Sequence, residues 1–193
     1  MAPVHPISGE AARPDRATRM SRIRRLSRWM ALGCLAASVL LASAMLLYWV
    51  ATPAHLVFAL AGLPNATAAD LGLPARLLAF AISMVPLGVL IYGFLNARRC
   101  FLAFAAGQIF ASGPIGRLCR FALAMAISAL LKPFAGAALS VVLSMIATPG
   151  SKSLILNFGS DTLIALIFAG TVAVIAWAMA EATEIADENQ QFV

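Results

Sequence analysis

Four stretches of this chain, Trp29 to Thr52, Ala75 to Asn96, Pro114 to Lys132 and Asp161 to Ala180, each read as a helix able to cross a lipid bilayer. A hydrocarbon core about 30 Å thick takes about 20 helical residues to cross, and each stretch is near that length with few or no internal charges. Hydrophobic residues are 62% of the chain and charged residues 11%. A soluble domain of 193 residues has no interior large enough to hide that much apolar surface. The fold class expected is therefore an all-α membrane protein. It is a four-transmembrane-helix bundle with a short extended extracytoplasmic segment between helices three and four.

Charge sets the orientation. Arg13, Arg16, Arg19, Arg22, Arg24, Arg25 and Arg28 precede the first span, and Arg98, Arg99, Arg117 and Arg120 flank the connection after the second. Only Arg76, Lys132 and Lys152 fall on the other side. Cytoplasmic flanks collect Lys and Arg, so both termini are expected inside. An Arg-rich start before an apolar run also resembles a secretory signal, with Ala42-Ser43-Ala44 as a cleavage site. The run continues through Val50 and three more spans follow, which favours an uncleaved anchor. Cys100 and Cys119 belong to the reducing side and Cys34 to a span, so no disulfide is expected. The spacing of cysteines and histidines fits no metal site, and no cofactor is implied.

Residues 1–16 lack periodicity and read as a disordered basic tail, leaving 17–193 as a single transmembrane domain. From Ala17, Met20, Ile23, Leu26 and Met30 recur at helical spacing among the arginines. Arg19, Arg22, Arg24, Arg25 and Arg28 then make a basic amphipathic helix suited to lie on the anionic inner leaflet. Direct nucleic-acid binding is not expected, because no folded reader or aromatic platform accompanies these cations. Between Pro53 and Pro74 the turn-forming residues mark an external connection; Asn65-Ala66-Thr67 is too short a pattern to carry weight.

Pro86 should bend the second helix without serving as a hinge. Gly107 suits a helix cap, and Ser112 with Pro114 a new start, so Gly107 to Gly113 is expected as the cytoplasmic tip of a hairpin. Pro114 to Ala147 is too long for one crossing, and Lys132-Pro133 is the expected break, with Lys132 at the outer edge. Phe134 to Ala147 would then continue outside or lie in the interface. Leu154, Leu156 and Phe158 alternate as in a short extended segment. Ser160-Asp161 starts the last helix, where Asp161 is placed to pair with Lys132.

The acidic end carries Glu181, Glu184, Asp187 and Glu188 before Asn189, Phe192 and Val193. Two readings stand: an internal charge match to Arg98, Arg99, Arg117 or Arg120, and a docking end for a partner. Candidate docking residues are Gly107, Ile109, Phe110, Glu184, Glu188, Asn189, Phe192 and Val193. Candidate ion pairs involve Lys132, Asp161, Arg117 and Arg120. The spans hold no evident carboxylate or histidine, which argues against a pump. No phosphate-cradling loop and no nucleophile with its base is present, so no enzyme is expected.

Three features resemble an uncharacterised bacterial four-span membrane family, domain of unknown function 2975. They are Gly107-Gln108-Ile109-Phe110-Ala111-Ser112 before Arg117-Leu118, Pro149-Gly150 with the alternating segment and an Asp-led final helix, and the terminal Ala186 to Val193. Ala111 departs from the family's usual Ser or Thr, with Ser112 one place later. The resemblance covers about residues 25–193 and implies a bacterial inner-membrane location, without an activity. Some members are encoded beside a small helix-turn-helix regulator, which implies a cytoplasmic regulatory protein as partner. The leading expectation is a non-enzymatic interaction or regulatory protein, in contact with the lipid bilayer and as a homo-oligomer. The rivals are an oligomeric small-molecule permeation or export component and a structural protein without a fixed ligand.

Overall fold

Helix starts and stops in the chain follow its prolines and glycines. In the computed structural model, residues 14–53, 56–57, 72–108, 112–147 and 159–191 are described. Side chains within these are described except at 14–19, 112, 146–147 and 186–191. Among the described residues four long helices result, α1 (Pro14–Ala51), α2 (Leu73–Ala105), α3 (Ser112–Ala147) and α4 (Ser160–Gln191), and Leu56 and Val57 are also helical. All four contain a stretch long and apolar enough to cross a membrane. No strand occurs among the described residues, and the expected extended segment, Ser153 to Phe158, lies outside them.

α1 opens on Pro14, whose missing amide hydrogen costs nothing in a first turn. It runs 38 residues without interruption, about 57 Å, and stops just before Pro53. Two expectations change here. The helix includes residues 14–16, which were assigned to a disordered tail. The basic segment from Ala17 is also not a separate surface helix: nothing between Arg16 and Ala51 breaks the backbone ladder, so arginines and span share one rod.

α3 brings a larger correction. The expected break at Lys132-Pro133 is absent, and the helix continues through Pro133 to Ala147. A proline removes one backbone donor and crowds the carbonyl four residues before it, a local defect that a helix held by neighbours absorbs. Neighbours are present: Leu143 is fully buried in a cluster with Trp49 of α1 and Ala79 of α2, and Leu139 packs against it. Phe134 to Ala147 thus extends the third helix. α2 likewise runs unbroken through Pro86.

The helices pack in series, α1 on α2, α2 on α3 and α3 on α4. Three contacts give the antiparallel register of α2 and α3: Ser128 Oγ donates to the Pro86 carbonyl at 2.8 Å, Gly93 faces Phe121 and Ala124, and Arg117 Nη1 donates to the Arg99 carbonyl at 3.3 Å. A β-carbon on Gly93 would stand 3.0 Å from that of Ala124, so the backbones approach closely. α4 pairs Asp161 with Lys132 near its start, and its buried residues Thr162, Ala169, Ala176 and Thr183 continue inward from there. Only the half of α3 before Lys132 can cover a seam of that length, so α4 is antiparallel too.

A common spacing underlies these seams. On α2 the buried residues include Ala79, Pro86, Gly93 and Cys100, and on α4 they are the four just named, each seven apart. A period of 3.5 residues per turn is that of helices packed along their length at a shallow angle. Nearly all these residues are small, which is how helices associate where lipid is as apolar as leucine. Hydroxyls in or beside the seams bond to their own helix, as Ser38 Oγ does to the Cys34 carbonyl and Ser83 Oγ to that of Ala79.

Candidate functional site

The end of the bundle that carries the α2–α3 turn gathers most of the residues singled out from sequence. α2 finishes in a Schellman arrangement: Gly107 N donates to the Phe104 carbonyl and Gln108 N to that of Ala103, both at 3.0 Å. Gly107 takes φ +91°, a conformation that side chains resist. A β-carbon there would also stand 3.2 Å from Arg24 Nη2, so the α1 guanidinium rests on the turn. Ile109 and Phe110 lie outside the described residues. Arg24 of α1 is thus level with the hairpin turn.

Around Arg24, the side chains of Ser21, Arg25, Arg28, Trp29 and Leu32 line an open cavity of about 560 Å³. Arg22, Arg24, Arg25 and Arg28 are all exposed, and none makes an ion pair among the described residues. The backbone at Arg19 is helical. This face combines guanidinium groups above with indole and aliphatic surface below, an arrangement suited to the boundary between water and hydrocarbon.

α4 ends at a different depth from its partner helix. Twenty residues separate Ser112 from Lys132, and twenty separate Asp161 from Glu181. With Lys132 and Asp161 side by side, Glu181 falls level with the first residue of α3. The helix carrying Glu184, Glu188 and Asn189 then projects beyond it, about 15 Å to Gln191. Among the described residues the internal charge match is not formed. Glu181 and Glu184 are exposed without an ion pair among the described residues, and Arg117 lies level with Ala176 rather than with either glutamate. Arg117 turns to the Arg99 carbonyl, and Arg120 is exposed without an ion pair among the described residues. Phe192 and Val193 lie outside the described residues.

Lys132 and Asp161 do pair, Nζ to Oδ2 at 3.1 Å, with both side chains more than half exposed. Ser128 lies opposite Pro86, so Lys132 is level with Ile82, nine residues or about 14 Å inward from Leu73. Beside Lys132, a cavity of about 250 Å³ is lined by Met45, Ser83, Pro86, Ser128 and Leu139 among others.

Two polar contacts had no counterpart in the sequence reading. Arg76 Nη1 donates to the carbonyls of Trp49 and Val50 at 3.1 and 3.2 Å, capping the end of α1 from α2. The signal was present as a lone cation two residues past Pro74, but its acceptor is 27 residues away. The buried Ser128 bond to Pro86 was equally silent, because a serine among alanines carries no directional mark.

No family model, no curated protein and no solved structure matches the chain.

Proposed function

We propose that the protein is a multi-pass membrane protein of the inner membrane whose inner face holds a cytoplasmic partner, acting by interaction and not by catalysis. In this reading it belongs with the four-span family of domain of unknown function 2975, and the partner is a small regulatory protein. One observation carries it: α4 continues as a helix past the start of α3 with Glu181 and Glu184 exposed and bound to no cation among the described residues. A projecting helical end with unpaired charge is a surface available to a partner, and charge across such a surface sets specificity and encounter rate. The hairpin turn at Gly107 lies at the same end of the bundle, and the proposed docking surface takes in Ile109, Phe110, Asn189, Phe192 and Val193 from the sequence.

The positive-inside bias supports a cytoplasmic position for this surface. Deleting Asn189 to Val193 is expected to remove the recovery of a co-purified cytoplasmic protein while membrane insertion persists. Equal recovery from the truncated and full chains would defeat the reading.

A second reading, a small-molecule permeation component working as an oligomer, is favoured by the cavity beside Lys132, whose lining includes Ser83 and Ser128. Its signature is solute flux in proteoliposomes that is lost in Lys132→Ala.

A further inference from the structure

α1 packs along α2 and meets α3 only where Trp49 joins Leu143, α4 packs along α3, and the free faces of α1 and α4 are alike in pattern. On α4, Ile167, Gly170, Val174, Trp177, Glu181 and Glu184 are all exposed and recur at alternating steps of three and four residues. On α1, Arg22, Leu26, Trp29, Gly33, Ala36 and Leu40 do the same. These are the steps of a packing seam, and each seam lies away from the one its helix already buries. The two differ at their inner ends, where one finishes in acids and the other in arginines.

We infer that the α4 seam of one copy packs against the α1 seam of a second copy, antiparallel and head to tail. Depth supports this match. Copies in one membrane share orientation and height, so a contact forms only between groups at the same level. Arg24 rests on the turn at Gly107, and Glu181 is level with Ser112 at the other side of that turn. The glutamates and the arginines Arg22 and Arg25 therefore sit at one height. Gly33 is nine residues outward from Arg24 and Gly170 eleven outward from Glu181, about 14 and 17 Å. A β-carbon at either glycine would meet nothing within 4 Å. Two uncovered glycines at one depth allow backbones to approach closely, the geometry that drives helix association in lipid. Opposite charges at the inner end then fix which helix is accepted, since like charges in contact are strongly unfavourable.

The contact is heterologous: it uses two different surfaces, so it repeats from copy to copy and yields a ring where the rotation closes. It repeats the antiparallel geometry already present within the chain, with α1 of the next copy as the helix after α4. The inference rests on the membrane-spanning reading and does not depend on the cytoplasmic partner.

The test uses full-length chains in native membranes, with Cys34, Cys100 and Cys119 replaced by serine. Leu40→Cys is placed in one tagged copy and Ile167→Cys in a second, differently tagged copy. Their co-expression is expected to give an oxidation-dependent crosslink between the two tags, while neither variant links to itself. Glu181→Arg with Glu184→Arg should reduce that crosslink about tenfold or more. Arg22→Glu with Arg25→Glu should do likewise, and the two pairs introduced together in one chain should restore it. Crosslinking of Leu40→Cys to itself would overturn the head-to-tail contact. Membrane-inserted chains that give no crosslink would show that lipid covers both seams. Crosslinking indifferent to charge reversal would remove the acid–arginine match. Retention of the cytoplasmic protein is read separately on the 189–193 deletion, so either idea can fail alone.

Discussion

α3 and α4 are built from similar residues, yet one is an interior helix and the other a rim. In α3, 33% of the most apolar window is buried, against 11% in α4. Both are rich in alanine and carry scattered serine, threonine and large aliphatic groups. The difference lies in how small residues are distributed. α3 presents them on two sides, Ala124 and Ser128 toward α2 and others toward α4, so backbones approach it from both directions. α4 buries one line of them, Thr162, Ala169, Ala176 and Thr183, and surrounds it with bulk such as Leu163, Ile164, Phe168 and Trp177. In lipid, where hydrophobicity no longer separates inside from outside, side-chain size decides which face is covered.

The contrast is broken most directly at the closest approach. Gly93→Leu has no room beside Ala124 and Phe121, and should destabilise the α2–α3 pair by about 3 kcal/mol. The measurement is reversible unfolding in mixed micelles; a change below about 0.5 kcal/mol would mean that the backbones are further apart. On α4 the comparison is sharpened by two substitutions two residues apart. Ala169→Leu, on the buried line, should cost about 2 kcal/mol, whereas Ile167→Ala on the free face should stay within about 0.5 kcal/mol in dispersed monomers. Equal losses at both positions would show that α4 is covered all round. The smallest effect is expected at Ser128→Ala. This removes the 2.8 Å bond to Pro86, and interhelical bonds of this kind are worth about 0.6 kcal/mol. A loss of several kcal/mol would instead point to a polar defect at Pro86 that the serine alone repairs.

The spans were legible because length and apolarity are additive along a chain: every stretch expected to cross coincides with a helix that satisfies both. The turn at Gly107 was equally plain, since φ +91° is what a glycine after a helix permits. Packing was not legible by the same route. The spans are apolar on every side, so the amphipathic contrast that reveals a buried face in a soluble helix is missing, and the seven-residue lines of small residues do not stand out from the other alanines and glycines around them. Proline misled for a related reason. Pro133 was given the weight it has in water, where a broken ladder is repaired by solvent and the chain turns away. Between neighbouring helices, leaving the helix would strand further backbone groups, and the rod continues.

For the candidate site, the pairing of Lys132 with Asp161 followed from helix ends alone, but the stagger of α3 against α4 did not, because contacts distant in sequence fix it. That same stagger separates Glu181 and Glu184 from Arg117.

The arginine resting on Gly107 couples two parts of the molecule that the chain itself separates by more than eighty positions. Any side chain at position 107 would have to displace that guanidinium as well as adopt φ +91°, so a single glycine serves both the bend and the rod that leans on it.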